Sequence, residues 1–299
     1  MEIRGAGRIA RVAAAALRDH AYQVTAGDIA GFKKEMENAA HTLVSTRPTA
    51  VSLPNAVHMV MLAMEGTATL EEAKEAIAAR ADSFIRSSEQ AVGKIGEIGA
   101  RHIRDGDVVM THCNSEAALG CLIEARRQGR EFSVFATEVR PRNQGLITIR
   151  TLNDAGIETN FIVDSAVRSF MNRIDLVVVG ADAVAVNGAV VNKIGTSQLA
   201  LAADEARTSL IVAAETYKFA PRTIFGELIS IEEREPGEIL PHEISSTLPH
   251  VRVRNPAFDV TPPEYIDLVV TEEGAIPPQM AYIIIREYLG WDINEFNRH

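Results

Sequence analysis

From residue 107 onward the chain repeats one pattern: a short apolar, β-branched run, then a stretch long enough for one helix. The runs are "DVVMTHC", "FSVFATEV", "ETNFIVDSA", "IDLVVVGADAV", "TSLIVAAET" and "IDLVVTEEG". Parallel neighbours need a crossover of helical length between them, so this spacing predicts βαβ units on a doubly wound, Rossmann-like parallel sheet. In such sheets ligands gather at the carboxyl ends of the strands, where the strand order reverses. Three motifs stand at predicted strand ends: "THCNSE", "TEVRPRNQG" and "GADAVAVNGAVVNKIGT". The last contains "AVNGAVV", an Asn-Gly turn between apolar arms that predicts a β-hairpin.

The preceding segment has a different texture. "RIARVAAAALRDHA", "AGFKKEMENAAHTLVS", "LPNAVHMVMLAME" and the long run from Thr69 to Ile103 space their apolar residues by three and four, as helices do. "TLEEA" supplies a capping box, Thr69 with Glu72, at the start of the last one. The predicted organisation is therefore an α/β chain: an N-terminal α-helical domain, 1–105, followed by a Rossmann-like domain, 106–299. The polar, Pro/Gly-bearing "EEREPGEILPHE" reads as a loop that covers the site or meets another subunit.

Charge and cysteine usage narrow the function. Lys and Arg number 30 against 40 Asp and Glu, a net charge of −10. That argues against broad attachment to nucleic acid or an anionic membrane, both of which need a basic surface. The apolar runs fall short of the ~20 residues that cross a bilayer, and no basic region with an apolar signal opens the chain, so a cytoplasmic protein is expected. Cys113 and Cys121 lack CxxC spacing and a nearby His pair, so neither a structural metal nor a disulfide is expected. An anionic ligand must then be caught by local clusters of Arg, Lys and glycine.

Cys113 sits between the strand "VVMT" and a helix that Asn114 or Ser115 can cap. There the helix dipole and exposed N–H groups are expected to lower the thiol pKa and supply a base or nucleophile. The competing reading is a small buried hydrophobe, and Cys121 keeps that reading. Asp182, directly after the strand "LVVVG", is either an Asx-type cap or a buried general acid facing the same crevice. Several segments suit phosphate. Arg4, Gly5, Ala6 and Gly7 precede a helix, so a guanidinium and backbone N–H groups converge, although glycines there also serve as simple turns. Arg47 lies ahead of two prolines that stiffen its loop. Asn192 and Lys193 precede a glycine at a helix start, and Lys218 follows another strand end. Either lysine alone reads as surface; together they read as a cationic lining.

In this order, "RGAG", "TRPTAVSLPN", "THCNS", "RPRNQG", "GADAVAVNGAVVNKIGT", "AAETYKF" and "NPAFDVTPPEYIDLVVTEEGAIPP" resemble the archaeal ribose-1,5-bisphosphate isomerases. These belong to a superfamily with methylthioribose-1-phosphate isomerase and the α, β and δ subunits of translation initiation factor 2B. The likeness runs from Arg4 almost to the C-terminus and rests chiefly on "NKIGT" and "NPAFDVTPPEYID". It implies a site between the helical and Rossmann-like parts, with ribose 1,5-bisphosphate turned into ribulose 1,5-bisphosphate during nucleotide (AMP) salvage. It further implies Cys113 as proton acceptor and Asp182 as proton donor, acting through an enediolate without cofactor or metal. Substrate contacts then fall on Arg4, Gly5, Ala6, Gly7, Arg47, Asn192, Lys193 and Lys218, and the partner is a homo-oligomer, a dimer assembled into a hexamer. The family carries a helix ahead of "RGAG", whereas three residues precede Arg4 here.

Two rivals come from the same superfamily. A methylthioribose-1-phosphate isomerase needs an apolar wall where a second phosphate would sit, and Lys218 in "AETYKF" opposes that. A non-catalytic factor 2B-like subunit generally lacks the Cys/Asp pair that this chain retains. A dinucleotide-dependent dehydrogenase is disfavoured because no GxGxxG follows a strand.

Overall fold

The helical region forms because buried residues recur at helical spacing along one side of its helices. The computed structural model of the chain describes residues 5–46 and 51–291. Helix α1 (Ala6–Gln23) buries Ala10, Ala13, Ala14, Leu17 and Ala21, a stripe at three- and four-residue spacing. α2 (Ile29–Ser45) starts at Asp28, whose carboxylate accepts the Gly31 N–H at 2.7 Å. α3 (Ser52–Met61) follows, and α4 (Leu70–Ala100) carries the predicted capping box of Thr69 and Glu72. The next helix, α5 (Glu116–Arg127), approaches α4 closely: a Cβ on Gly99 would lie 2.3 Å from Cys121 Sγ. Cys121 thus fills the groove that glycine leaves, as its packing role predicts.

The α/β region opens with β1 (Val108–Thr111) and continues after α5 with β2 (Ser133–Thr137), α6 (Gly145–Asp154), β3 (Glu158–Ile162), the short α7 (Val167–Met171) and β4 (Leu176–Gly180). Then come β5 (Ala183–Ala185), β6 (Val190–Lys193), α8 (Thr196–Ala206), β7 (Ser209–Ala213), β8 (Phe219–Ala220) and the short α9 (His242–Ser245). The described chain ends with β9 (Phe258–Thr261), β10 (Leu268–Thr271), β11 (Gly274–Ile276) and α10 (Ala281–Leu289). All six predicted strands join one seven-stranded sheet in the order β11-β10-β7-β4-β1-β2-β3, parallel except for β10 with β11. Along β4 the side chains alternate between two cores: Leu176 and Val178 pack with α5, whereas Val177 and Val179 join the core that α1, α3 and α8 share. Leu210 and Ile211 on β7 split the same way. Both faces are covered, which is why these strands read as unbroken apolar runs.

A second sheet, β8-β5-β6-β9, grows from the carboxyl end of β4, since only Ala181 and Asp182 separate β4 from β5. Its centre is the predicted Asn-Gly hairpin, with Ala183 opposite Val191 and Gly188 at φ 86°. The strands β8, β9 and β11 are not foreseen. β8 is two residues long, β9 pairs with β6 across more than sixty positions of sequence, and "GAI" carries little β-branched character. Among the described residues no helix is long and apolar enough to cross a membrane.

One buried side chain that fastens the helical region to the α/β region is Asn55. Asn55 on α3, 2% exposed, donates through Nδ2 to the carbonyls of Tyr217 at 2.9 Å and Phe219 at 2.6 Å. Substituting Asn55→Ala strands both carbonyls away from water, at a cost of about 2 kcal/mol or more. A lowered urea midpoint with an unchanged denaturant slope is expected; an unchanged midpoint would show that the contact contributes nothing.

Candidate functional site

The strand order reverses between β1 and β4: the chain adds β2 and β3 on one side of β1, then returns to lay β4, β7 and β10 on the other. The two strands on either side of that switch point lead to Cys113 and Asp182. Gly180 brings them close, because a Cβ at the end of β4 would lie 2.2 Å from Oγ of Ser115, the N-cap of α5. Cys113 has φ 68°, a left-handed conformation that costs a non-glycine residue and is retained where neighbours enforce it. Thr148 Oγ1 on α6 donates to its carbonyl at 3.0 Å, and the thiol reaches Gln144 Oε1 at 3.8 Å. Asp182 donates its backbone N–H to the Val191 carbonyl at 2.9 Å, at the mouth of the β5–β6 hairpin. Its charge acts on Cys113, Lys193 and Lys218.

His112, beside Cys113, ties the surrounding loops together. Its Nε2 lies 2.8 Å from the Ile194 carbonyl, and its Nδ1 lies 2.7 Å from Thr137 Oγ1. A carbonyl only accepts, so Nε2 carries the proton and Thr137 donates to Nδ1. Burial keeps this imidazole below the ordinary histidine range and hence neutral. Gly195 makes the contact feasible, with φ 103° and space where a Cβ would stand 2.9 Å from His112 Cε1.

Asn192 and Lys193 end β6, both buried. Asn192 Nδ2 donates to Thr196 Oγ1 at 3.0 Å; Lys193 Nζ donates to the Ala257 carbonyl at 3.0 Å and lies 4.5 Å from the Phe258 ring centroid. The helix start beyond them is not open to a phosphate. Asp259 Oδ2 from β9 takes the N–H groups of Gly195 at 2.7 Å and Ser197 at 3.1 Å. Burial, opposed by those N–H groups, leaves the Asp259 carboxyl near a pKa of about 6. Any anion in this space therefore meets the side chains of Asn192 and Lys193 rather than the end of α8.

Lys218 lies in a single 3₁₀ turn after β7, in a 2.6 Å ion pair with Glu215. Burial opposes its charge, but the Glu215 carboxylate holds it above the ordinary lysine range. Gly5 is the N-cap of α1 at φ 92°, and Ala6 accepts Ser52 Oγ at 3.2 Å. Gly7 faces Tyr217, whose hydroxyl would lie 2.6 Å from a Cβ there. Arg4 and Arg47 lie outside the described residues.

Several residues here carry no clear sequence signal. Gln144, Arg140 and Arg142 from "RPRNQG" line a recess with Lys193, Arg234 and Asn255. "RPRNQG" stands out at a strand end, but nothing in its spacing singles out Gln144. Arg234 comes from the loop read as a cover; its charge reaches both Cys113 and Lys193. Arg142 pairs with Glu238 of the same loop, which fastens that cover over the end of β2. Among the described residues no group of three or more His, Cys, Asp or Glu is arranged to hold a metal.

The expected low-pKa thiol is corrected. Burial pushes Cys113 up to about 11, against the pull of Lys193 and the Asn114 N–H, and the Asp182 charge pushes the same way. These favourable contacts act in the expected direction, but desolvation outweighs them. Lys193 is itself held below the ordinary lysine range by burial and by Arg234. Because a raised thiol pKa lowers the thiolate fraction at neutral pH, Cys113 alkylation by iodoacetamide is expected to accelerate about tenfold per pH unit from near 7 toward 10. A rate that levels off near pH 8, followed by mass spectrometry of the Cys113 peptide, would contradict this.

Comparison with known proteins gives this site a family. The model described as the Initiation factor 2 subunit family matches residues 2–278. The ribose 1,5-bisphosphate isomerase of Archaeoglobus fulgidus is 55% identical, covering 97% of this chain and 91% of its own length. The ribose 1,5-bisphosphate isomerase of Methanocaldococcus jannaschii is 53% identical, covering 97% and 92%. Among solved structures, the translation initiation factor eIF-2B of Pyrococcus horikoshii OT3 superposes with a TM-score of 0.76 at 32% identity, covering 93% of each chain. On the strength of a match that spans both the helical region and the seven-stranded sheet, the chain belongs to the initiation factor 2 subunit family.

Proposed function

We propose that this protein is an aldose–ketose isomerase that converts ribose 1,5-bisphosphate into ribulose 1,5-bisphosphate, in the salvage of nucleotides such as AMP. The observation that carries the reading is that Cys113 and Asp182 follow the two strands on either side of the switch point, with the charge of Asp182 acting on Cys113, Lys193 and Lys218. The names of relatives more than half identical over nearly the whole chain support the same substrate. The sugar lies between the helical part, 1–105, and the Rossmann-like part, 106–299. Arg4, Gly5, Ala6, Gly7 and Arg47 approach it from the first part, and Asn192, Lys193 and Lys218 from the second. The working unit is a homo-oligomer, a dimer assembled into a hexamer.

The mechanism follows from one shared proton. The reacting form is a Cys113 thiolate with a neutral Asp182 carboxyl, which differs from the thiol–carboxylate form only in where one proton sits and carries the same total charge. Asp182 then protonates the ring oxygen as its bond to C1 breaks, and the Cys113 thiolate removes the proton from C2. The resulting enediol carries phosphate on its C1 oxygen. Cys113 returns a proton to C1 while the C2 hydroxyl gives its proton to Asp182, so C2 becomes the ketone and both groups regain their starting forms. Lys193 and backbone dipoles stabilise the oxygen that becomes negative.

Of the alternatives, a methylthioribose-1-phosphate isomerase is opposed by Lys218, a buried cation whose charge Glu215 maintains. A non-catalytic regulatory subunit has no use for a thiol and a carboxyl that perturb one another. The deciding experiment supplies purified protein with ribose 1,5-bisphosphate and, separately, methylthioribose 1-phosphate, and measures ketose. Turnover of the bisphosphate is expected, with Cys113→Ser and Asp182→Asn each lowering kcat by about 10² to 10⁴ without loss of thermal stability. Preference for the methylthio sugar, or near-normal turnover by either variant, overturns the assignment.

A further inference from the structure

Glu215 has no assigned contact with substrate, yet it is 5% exposed and lies directly behind Lys218. Its two oxygens do different things. Oε2 lies 2.6 Å from Lys218 Nζ, with both side chains less than a tenth exposed. Oε1 accepts the Tyr217 hydroxyl at 3.0 Å. That hydroxyl accepts Ser88 Oγ of α4 at 3.3 Å, and Ser88 Oγ accepts Arg11 Nη1 of α1 at 3.2 Å. Every proton in the series Arg11, Ser88, Tyr217 points toward the carboxylate, so each bond polarises the next. The Tyr217 ring is wedged by the edge of Phe84, 5.5 Å between centroids, and its hydroxyl occupies the space left by the missing side chain of Gly7. One carboxylate therefore joins the lysine at the end of β7 to the first turn of α1, two parts of the site that come from opposite ends of the fold.

A surface lysine needs no such support. A lysine buried alone surrenders its proton, and a buried pair broken at one partner leaves an uncompensated charge. Building a buried Glu–Lys pair and then tying the Glu to two helices makes sense where the ammonium has to be kept both charged and stationary.

We propose that Glu215 is a positioning residue: it holds Lys218 fixed and cationic for the substrate phosphate and, through Tyr217, locks that lysine to the Gly5–Gly7 turn. This rests on the reading of Lys218 as a phosphate contact. The charged groups that face Lys218 are Glu215 on its own turn, Asp182 after β4 and Glu116 at the start of α5, while Glu272 after β10 faces Glu215. With Glu215 neutralised, Asp182 and Glu116 remain, but burial is then opposed less strongly. The lysine loses its proton at lower pH than in the unaltered protein. Phosphate affinity accordingly falls as pH rises, and KM climbs in a range where the unaltered protein shows none of that climb.

The test compares Glu215→Gln, Glu215→Asp and Tyr217→Phe with the unaltered full chain. It measures kcat and KM for ribose 1,5-bisphosphate from about pH 6.5 to 9.5, with calorimetric binding of ribulose 1,5-bisphosphate in parallel. Glu215→Gln is expected to raise KM and weaken binding about tenfold or more near neutrality, with kcat within about threefold. The loss deepens with pH. Glu215→Asp recovers part of the affinity, and Tyr217→Phe weakens binding about threefold, because the ion pair survives while its tether is lost. A brace with no role toward substrate would lower stability only. Folded Glu215→Gln with unchanged KM and an unchanged pH profile therefore overturns the proposal. If Glu215→Gln does not fold, unchanged affinity in Tyr217→Phe and Glu215→Asp overturns it just as well. Unaltered protein that binds the bisphosphate without converting it removes the isomerase reading alone, and the binding series still decides on Glu215.

Discussion

The adjacency of β1 and β4 at the reversal of the sheet is the constraint on which the site depends. A parallel strand ends with its carbonyls and the next helix's N–H groups facing outward, and only at a switch point do two neighbouring strands send their following loops apart and leave a crevice. Cys113 follows one of these strands and Asp182 the other. Gly180 permits the close approach, and His112 then pins three loops around the crevice through two hydrogen bonds. The smaller sheet rises from the same strand end and carries Asn192 and Lys193 at the end of β6.

What was legible in the sequence follows the range of the interactions. Local pattern names the six main strands, the four long helices, the Thr69 capping box and the Asn-Gly hairpin, because each is decided by residues within a dozen positions. The strand-end rule singles out Cys113, Asp182, Asn192, Lys193 and Lys218, and Asp182 acts electrostatically on Cys113, Lys193 and Lys218. One expectation, the lowered thiol pKa, is corrected and one feature goes unannounced, because both depend on distant chain. The Asp259 carboxylate that closes the start of α8 comes from more than sixty residues away, and no local motif announces it. The thiol pKa turns on desolvation, which outweighs the opposing pull of Lys193 and Arg234, so a helix end seen in isolation gives the wrong sign. Arg4 and Arg47 lie outside the described residues.

The electrostatics have a consistent logic despite that reversal. Lys218 pairs with Glu215 and Arg142 with Glu238, whereas Lys193 is pulled up by Asp182 and pushed down by Arg234. In a chain with a net charge of −10, these cations are held locally rather than spread over a basic surface.

The claim that carbon-bound protons pass through Cys113 has a direct test. Ribulose 1,5-bisphosphate equilibrated with the protein in D₂O is examined by NMR and mass spectrometry. Exchange through a thiol that communicates with solvent predicts deuterium at one stereospecific position on C1. Product that remains unlabelled after many turnovers would mean direct hydrogen transfer from C2 to C1, and would contradict the account.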